Sequence, residues 1–279
     1  MKIKNTISNQ DIRKLANLMR KRIITTSSIS KIPHLGSCLS CIDIITYLYW
    51  KELNINTSNP KDESRDRFIL SKGHAAPALV QVLAERGFFS RHKLEDFGKS
   101  NSVFHEHPPK PEYIEGIEAA TGSLGHGLPM ALGMALAGKI KEKNYKCFVL
   151  LSDGECNEGS IWESALFAAA NNLDNLICFI DFNKWQATGR SNNIMKLEPF
   201  EKKWESFNWH VQRINGHDID EIEMSIKNAR NHRLNCPSMI IADTIKGKGI
   251  SFMEDDNNWH YRVPNENELY RALKELDLK

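Results

Sequence analysis

Four short, almost wholly apolar runs constrain this 279-residue chain more than anything else in it: 67–71 (RFILS), 146–151 (KCFVLL), 176–181 (LICFID) and 238–243 (SMIIAD). Runs this short and this apolar suit strands buried on both faces of a parallel sheet. Alanine-rich segments at 128–142 and 161–172 lie before or between them, and residues 11–26 and 41–52 carry apolar groups at helical spacing. The alternation predicts an α/β fold, a three-layer parallel sheet with helices on both faces. No internal repeat, low-complexity tract or linker-like shift interrupts it, so residues 1–279 are expected to form a single domain.

Composition narrows the partners. With 41% hydrophobic and 26% charged residues the chain can bury a sizeable core, and a net charge of +2 without long charged blocks implies neither nucleic acid nor an anionic membrane. The polar N-terminus, MKIKNTISNQDIRKL, is unlike a secretory signal, and no run approaches the ~18 apolar residues of a membrane span. A cytoplasmic location is therefore expected, with no disulfides among the six cysteines. Cys147 and Cys178 sit inside apolar runs, where they act as small hydrophobes. Cys38 and Cys41 form a CxxC with no second CxxC to complete a zinc site, and read as packing at a helix start.

Residues 152–184, SDGECNEGSIWESALFAAANNLDNLICFIDFNK, carry the chemistry. KCFVLL reads as a strand, GSIWESALFAAANNL as a helix and LICFID as the next strand. Asp153 and Asn183 then fall just beyond the carboxyl ends of parallel strands, where α/β sheets bind ligands. A carboxylate and an amide oxygen, with Gly154 admitting close approach, suit Mg²⁺ that completes its octahedron with phosphate oxygens and water. From Asp and Asn alone, two ordinary polar residues closing two strands are the simpler account.

The longer pattern resembles a known motif. Residues 153–159 (DGECNEG), the helix after them and Asp181-Phe182-Asn183 resemble the thiamine diphosphate motif, an Asp-Gly pair followed some thirty residues later by an Asn. Ser152 stands where that motif usually has Gly. The resemblance implies that Asp153, Asn183 and the backbone carbonyl of Trp185 hold Mg²⁺ against the diphosphate, and that Gly154 and Glu155 lie along the cofactor. Further stretches are similar to transketolases, specifically to the N-terminal subunit of the split type. KIPHLGSCLS resembles the segment with an early active-site histidine, here His34, and RFILSKGHA the one that carries His74 near the diphosphate. HEHPPKPEYIEGIEAATGSLGHG resembles the histidine-proline element with a substrate-side histidine, here His107, followed by a glycine loop. There Gly122, Ser123 and Leu124 would give backbone contacts to the cofactor. TIKGKGISFMEDDNNWHYRVP matches the late lysine and histidine, here Lys246 and His260. The resemblance runs from about residue 10 to the C-terminus, with its parts in family order.

Each element alone has a plainer reading. Single histidines are more often structural or surface groups, and His105 with His107 has zinc-pair spacing but no third ligand nearby. Lys246 alone would be a solvated charge; the strand IIADT before it puts it at a strand's carboxyl end. Pro129 just inside the helix after the glycine loop suits a first helical turn, whose free N–H groups meet polar ligand atoms.

Taken with the resemblance, the implied reaction moves a two-carbon glycolaldehyde unit from a ketose to an aldose through thiamine diphosphate. Histidines titrating near neutrality, His34, His74, His107 and His260, would carry protons, and Lys246 would offset anionic charge. The family's pyrimidine-binding glutamate belongs to a second domain, so a separate C-terminal subunit is expected to supply it, in an α2β2 heterotetramer with Glu158 facing that partner across the cofactor. An exposed apolar patch is expected on this subunit. A deoxyxylulose-phosphate synthase or dehydrogenase component acting on an α-keto acid, and a non-catalytic paralogue, are the competing readings. His105 and Glu106, where family members more often have a small residue and Gly, point to an unusual sugar pocket, one suited to a modified or nucleotide-linked sugar.

Overall fold

The computed structural model describes residues 7–232 and 234–278. Strands β1 (Arg67–Leu70), β2 (Cys147–Ser152), β3 (Leu176–Phe182), β4 (His210–Asn215) and β5 (Ser238–Asp243) form one parallel sheet in the order β1-β2-β3-β5-β4. The four apolar runs are β1, β2, β3 and β5. The sequence reading missed β4, HVQRIN. It is an edge strand with mostly half-buried residues, so its composition carries no apolar run.

Side chains alternate strictly between two cores because strand residues point to opposite faces in turn. Phe68, Leu70, Phe148, Leu150, Ile177, Phe179 and Ile240 enter one core. There they meet α1 (Asn9–Ser30), α2 (Leu35–Tyr47), α3 (Ala76–Arg86), α8 (Ile219–Asn231) and α9 (Glu266–Asp277). Ile69, Cys147, Val149, Leu151, Cys178, Ile180 and Ile241 enter the other. That face is covered by α4 (Gly127–Ile140), α5 (Gly159–Ala170) and α7 (Phe200–Ser206), with the single turn α6 (Ser191–Ile194) in the connection before α7. The expected three layers are present. A π-helical turn, Leu48–Glu52, prolongs α2 and accounts for the helical pattern read to residue 52. Cys38 and Cys41 are buried within α2, and all six cysteines are free. On α4 and α5, Met130, Ile140, Leu166 and Phe167 are exposed. Among the described residues no helix is long and apolar enough to cross a membrane.

Two buried ion pairs tie helices to the strand tips. Lys72, just past β1, and Asp181, in β3, have no exposed surface, and the ammonium donates to the Asp181 carboxylate and, at 3.0 Å, to the Ser37 carbonyl. Ser40 Oγ donates to the same carboxylate at 2.6 Å, and Thr244 Oγ1, just past β5, donates to its other oxygen. This cluster joins β1, β3, β5 and α2 at one point. In the second pair Arg20 grips Asp43 with two bonds of 3.0 and 2.6 Å. His217 Nε2 accepts from the Ile245 N–H at 2.9 Å, so its Nδ1 carries the proton and donates to Asp43 at 2.8 Å. Arg20 Nε also donates to the Lys248 carbonyl at 3.0 Å. The loop after β5 is thus held on both sides of Lys246.

Replacing Lys72 by Met leaves the Asp181 charge buried without its cation. A loss of about 3–5 kcal/mol is expected, and Lys72→Met/Asp181→Asn regains much of it; urea unfolding of the three variants and wild type reads both. Asp43, held down to about 2 by Arg20 and His217 against its own burial, gives a pH signature. Its folded value lies below the unfolded 3.8. The stabilisation of about 2 kcal/mol is therefore complete above about pH 4 and disappears as pH falls through about 2. The stability difference between wild type and Asp43→Asn, followed by urea unfolding across that range, should shrink accordingly.

Candidate active site

β2 and β3 are neighbours, with Ser152 paired to Asp181, so the residues that follow them emerge side by side. Asp153 is fully buried; Ser191 Oγ donates to its Oδ2 at 2.7 Å, and its Oδ1 is sealed from solvent without a partner. Burial pushes this carboxyl up to about 6, opposed by the Ser191 hydrogen bond and reinforced by the Asp181 charge. Asn183, also buried, donates from Nδ2 to Asp181 Oδ2 at 3.3 Å and accepts the Trp185 N–H on Oδ1 at 3.0 Å. Asp181 thereby fixes which way the Asn183 amide points. A buried carboxylate oxygen with no donor is costly unless a cation meets it. Asp153 Oδ1, with the Asn183 amide on the adjacent tip, fits Mg²⁺. Among the described residues no three His, Cys, Asp or Glu side chains gather as a metal cage, so any ion here would take its remaining ligands from elsewhere.

Trp185 begins a hairpin whose far end is Arg190. The Arg190 guanidinium lies 3.8 Å from the Trp185 ring centroid and grips Asp255 with bonds of 2.7 and 2.5 Å, while Trp185 Nε1 donates to Asp255 at 2.8 Å. The Asp255 N–H in turn donates to the Lys246 carbonyl at 2.8 Å. The 185–190 hairpin and the Lys246 segment are thus clamped together, with Arg190 and Asp255 marked by no motif.

The glycine loop is pinned to the β2 tip by Glu155. Its buried carboxylate accepts from Ser71 Oγ at 2.5 Å, the Gly125 N–H at 2.8 Å and the Ser152 N–H at 3.2 Å. The Glu155 carboxylate is thus turned inward, where it holds the loop. Gly122 and Leu124 are half-buried and Ser123 is exposed, on the loop that opens α4. A Cβ on Gly127 would stand 2.3 Å from Ser71 Oγ, so only glycine allows α4 to start against the β1 tip. Glu158 is exposed beside this loop, where its Cβ lies 2.7 Å from the place a Gly125 side chain would take.

The four predicted histidines meet. His34 lies at the centre, its ring centroid 4.8 Å from that of His260, 5.5 Å from His74 and 6.4 Å from His107. It has φ +68° at the start of α2, an uncommon backbone for a non-glycine residue, held by a 2.7 Å bond from its N–H to the His260 carbonyl. Lys246 is buried, donates to Asn257 Oδ1 at 2.6 Å and stands 3.2 Å from His260 Nδ1. A Cβ on Gly36 would lie 2.8 Å from its side chain, so α2 passes directly over it. Burial, helped by Lys72, lowers Lys246 to about 8. The expectation that the histidines titrate near neutrality is corrected for three of them. Burial pushes His74 well below the usual range and His260 to about 3, with neighbouring lysines adding to the effect; it lowers His34 too, against the pull of Glu106. These rings are neutral at pH 7 because charge is expensive to bury beside ammonium groups.

Lys72, and its pairing with Asp181, went unnoticed in the sequence, although the signal was there: a lysine directly after an apolar strand and an aspartate within LICFID.

Residues 12–278 match the family described as "Transketolase, thiamine diphosphate binding domain". A relative in Clostridium sp., the 6-deoxy-6-sulfo-D-fructose transketolase subunit SqwG, is 39% identical over 96% of this chain and 96% of its own length. A subunit of the apulose-4-phosphate transketolase of Phocaeicola vulgatus is 37% identical over 92% and 90% of the two chains. Human transketolase is 35% identical over 96% of this chain, which spans 42% of the human one. Among solved structures, transketolase from Campylobacter jejuni superposes with a TM-score of 0.82 at 25% identity, covering 96% of this chain and 47% of that one. A complex of Pichia stipitis transketolase with sedoheptulose-7-phosphate has the same fold, with a TM-score of 0.87 at 24% identity, covering 97% of this chain and 41% of that one. With those matches joined to paired strand tips, a glycine loop and a four-histidine cluster, the chain belongs to the transketolases and corresponds to the N-terminal, thiamine diphosphate-binding subunit of the split type.

Proposed function

We propose that this chain binds the diphosphate end of thiamine diphosphate through Mg²⁺ and, with a separate C-terminal subunit, transfers a glycolaldehyde unit from a ketose donor to an aldose acceptor. The observation that carries this reading is the sealed, unpartnered Asp153 Oδ1 at a strand tip beside Asn183. Asp153, Asn183 and the Trp185 carbonyl would hold the ion, and Gly154, Gly122, Ser123 and Leu124 would lie along the coenzyme. The coenzyme supplies a nucleophilic carbon and an electron sink for the fragment. The partner would bring the pyrimidine-binding glutamate.

The protein's own share is placement and proton traffic. Lys246 offers a positive charge to an anionic group at the histidine cluster. The rings of His74 and His260, neutral at pH 7, can orient hydroxyls by hydrogen bonding without repelling a cationic coenzyme ring. His34 and His107 line the side reached by Glu106, where the substrate would sit. The donor is proposed to be a modified ketose, a reading supported by the two relatives named for apulose-4-phosphate and a sulfonated fructose. Assembly as α2β2 in the cytoplasm is part of the same proposal; the exposed Met130, Ile140, Leu166 and Phe167 on α4 and α5 support assembly with other chains.

Calorimetry on the co-expressed two-chain complex tests the site. Asp153→Ala/Asn183→Ala is expected to weaken Mg²⁺-dependent coenzyme binding by more than the roughly 10–100-fold that loss of an outer-shell partner costs, with the fold unchanged by circular dichroism. Unaltered binding would refute the ligand set. In turnover assays the complex should consume ketoses and leave pyruvate untouched, and the chain alone should be inactive. Pyruvate decarboxylation would favour an α-keto-acid enzyme instead.

A further inference from the structure

The segment 104–108 is fixed at both ends. Phe104 is buried against Phe89 and Phe97, with ring centroids 5.2 and 6.3 Å away, and Pro108 is buried as well. Between them His105 faces away from the site, exposed, its Nε2 2.8 Å from the Ser102 carbonyl oxygen. Glu106 turns the other way and sets its carboxylate 3.7 Å from His34 Nε2, with the His34 side chain only 13% exposed and that of Glu106 43%. This spacing is longer than a hydrogen bond, so the carboxylate acts on the ring by charge.

The four rings are not equivalent toward a proton. His260 Nδ1 faces the Lys246 ammonium at 3.2 Å, which occupies its lone pair. The leading influences on His74 are its burial, Lys72, Lys246 and the rings of His34 and His260, all of which disfavour a charge on it. His34 Nδ1 is buried without a partner, which leaves Nε2 as the nitrogen that meets a charged group. The groups around His34 are His74, His107, His260, Tyr261 and Lys246, and Glu106 is the anion among them.

We propose that Glu106 is a positioning residue whose carboxylate makes His34, rather than His74 or His260, the proton acceptor of the histidine cluster. The proposal rests on the transketolase reading for the identity of the hydroxyl that gives up the proton. In the step, the O–H bond of a substrate hydroxyl breaks, the proton passes to His34 Nε2, and the oxygen keeps the electron pair. The imidazolium so formed is neutralised by Glu106, and return of the proton to a product oxygen restores the neutral ring. Burial opposes that charge on His34, and Glu106 is the largest influence restoring it. The His34 backbone is fixed to the His260 carbonyl, which anchors the base of this side chain.

Two readouts test it on Glu106→Gln and Glu106→Asp, with His34→Asn to identify the resonance. In the full chain, an NMR titration of the His34 ring should give a midpoint roughly one pH unit lower in the Gln variant, the low end for a lost opposite charge at this distance and exposure, and close to wild type in the Asp variant. In the two-chain enzyme the acid limb of the kcat profile should move the same way, with kcat reduced roughly tenfold or less and coenzyme affinity unchanged. A His34 midpoint that does not move in Glu106→Gln, or an acid limb that stays in place while the midpoint moves, overturns the proposal. A wild-type complex that turns over no ketose while the His34 midpoint still shifts strikes the transketolase reading and leaves the Glu106–His34 coupling standing.

Discussion

An ammonium and a carboxylate with no exposed surface, Lys72 and Asp181, meet beneath the ends of β1 and β3, and the rest of the site is arranged around them. Taking both ions out of water is expensive, so the pair persists only because Ser37, Ser40 and Thr244 satisfy the remaining donors and acceptors. That requirement fixes α2 and the β5 tip relative to β3. It also sets the Asn183 amide, whose Nδ2 donates to Asp181 and whose Oδ1 is therefore turned the other way. The same pair shapes the electrostatics. Asp181 adds to the raised affinity of Asp153 for a proton, and Lys72 helps keep His74, His260 and Lys246 less readily charged.

The site divides into the β2 and β3 tips on one side and the histidine cluster on the other, and the two are mechanically joined. Arg190 and Trp185 bind Asp255, and Asp255 binds the Lys246 backbone. On the opposite side Arg20, Asp43 and His217 hold the residues flanking Lys246. Lys246 is therefore placed from both sides by surrounding groups, which is how a flexible side chain is kept in one position. A ring such as His34 in a left-handed conformation persists for the same reason: its surroundings over-determine it.

The sequence by itself determined the layers and the location of the chemistry. Apolar runs of four to seven residues are buried on both faces, because alternate side chains feed two separate cores, and that pattern is legible without coordinates. The glycine loop could be read from the sequence and the Asp–Asn pair placed at strand ends, though only the longer motif, not the two residue types alone, set the pair apart from ordinary polar residues there. β4 was not legible, because an edge strand exposed along much of its length has no composition to distinguish it from a loop. Only the tertiary structure decided how the site is charged. Burial and neighbouring ammonium groups, contributed by segments far apart in the chain, turned three histidines expected near neutrality into neutral rings. The pairing of Glu106 with His34 joins residues 72 positions apart in the sequence. Local pattern reports what a residue is; the field it sits in is the sum of everything folded around it.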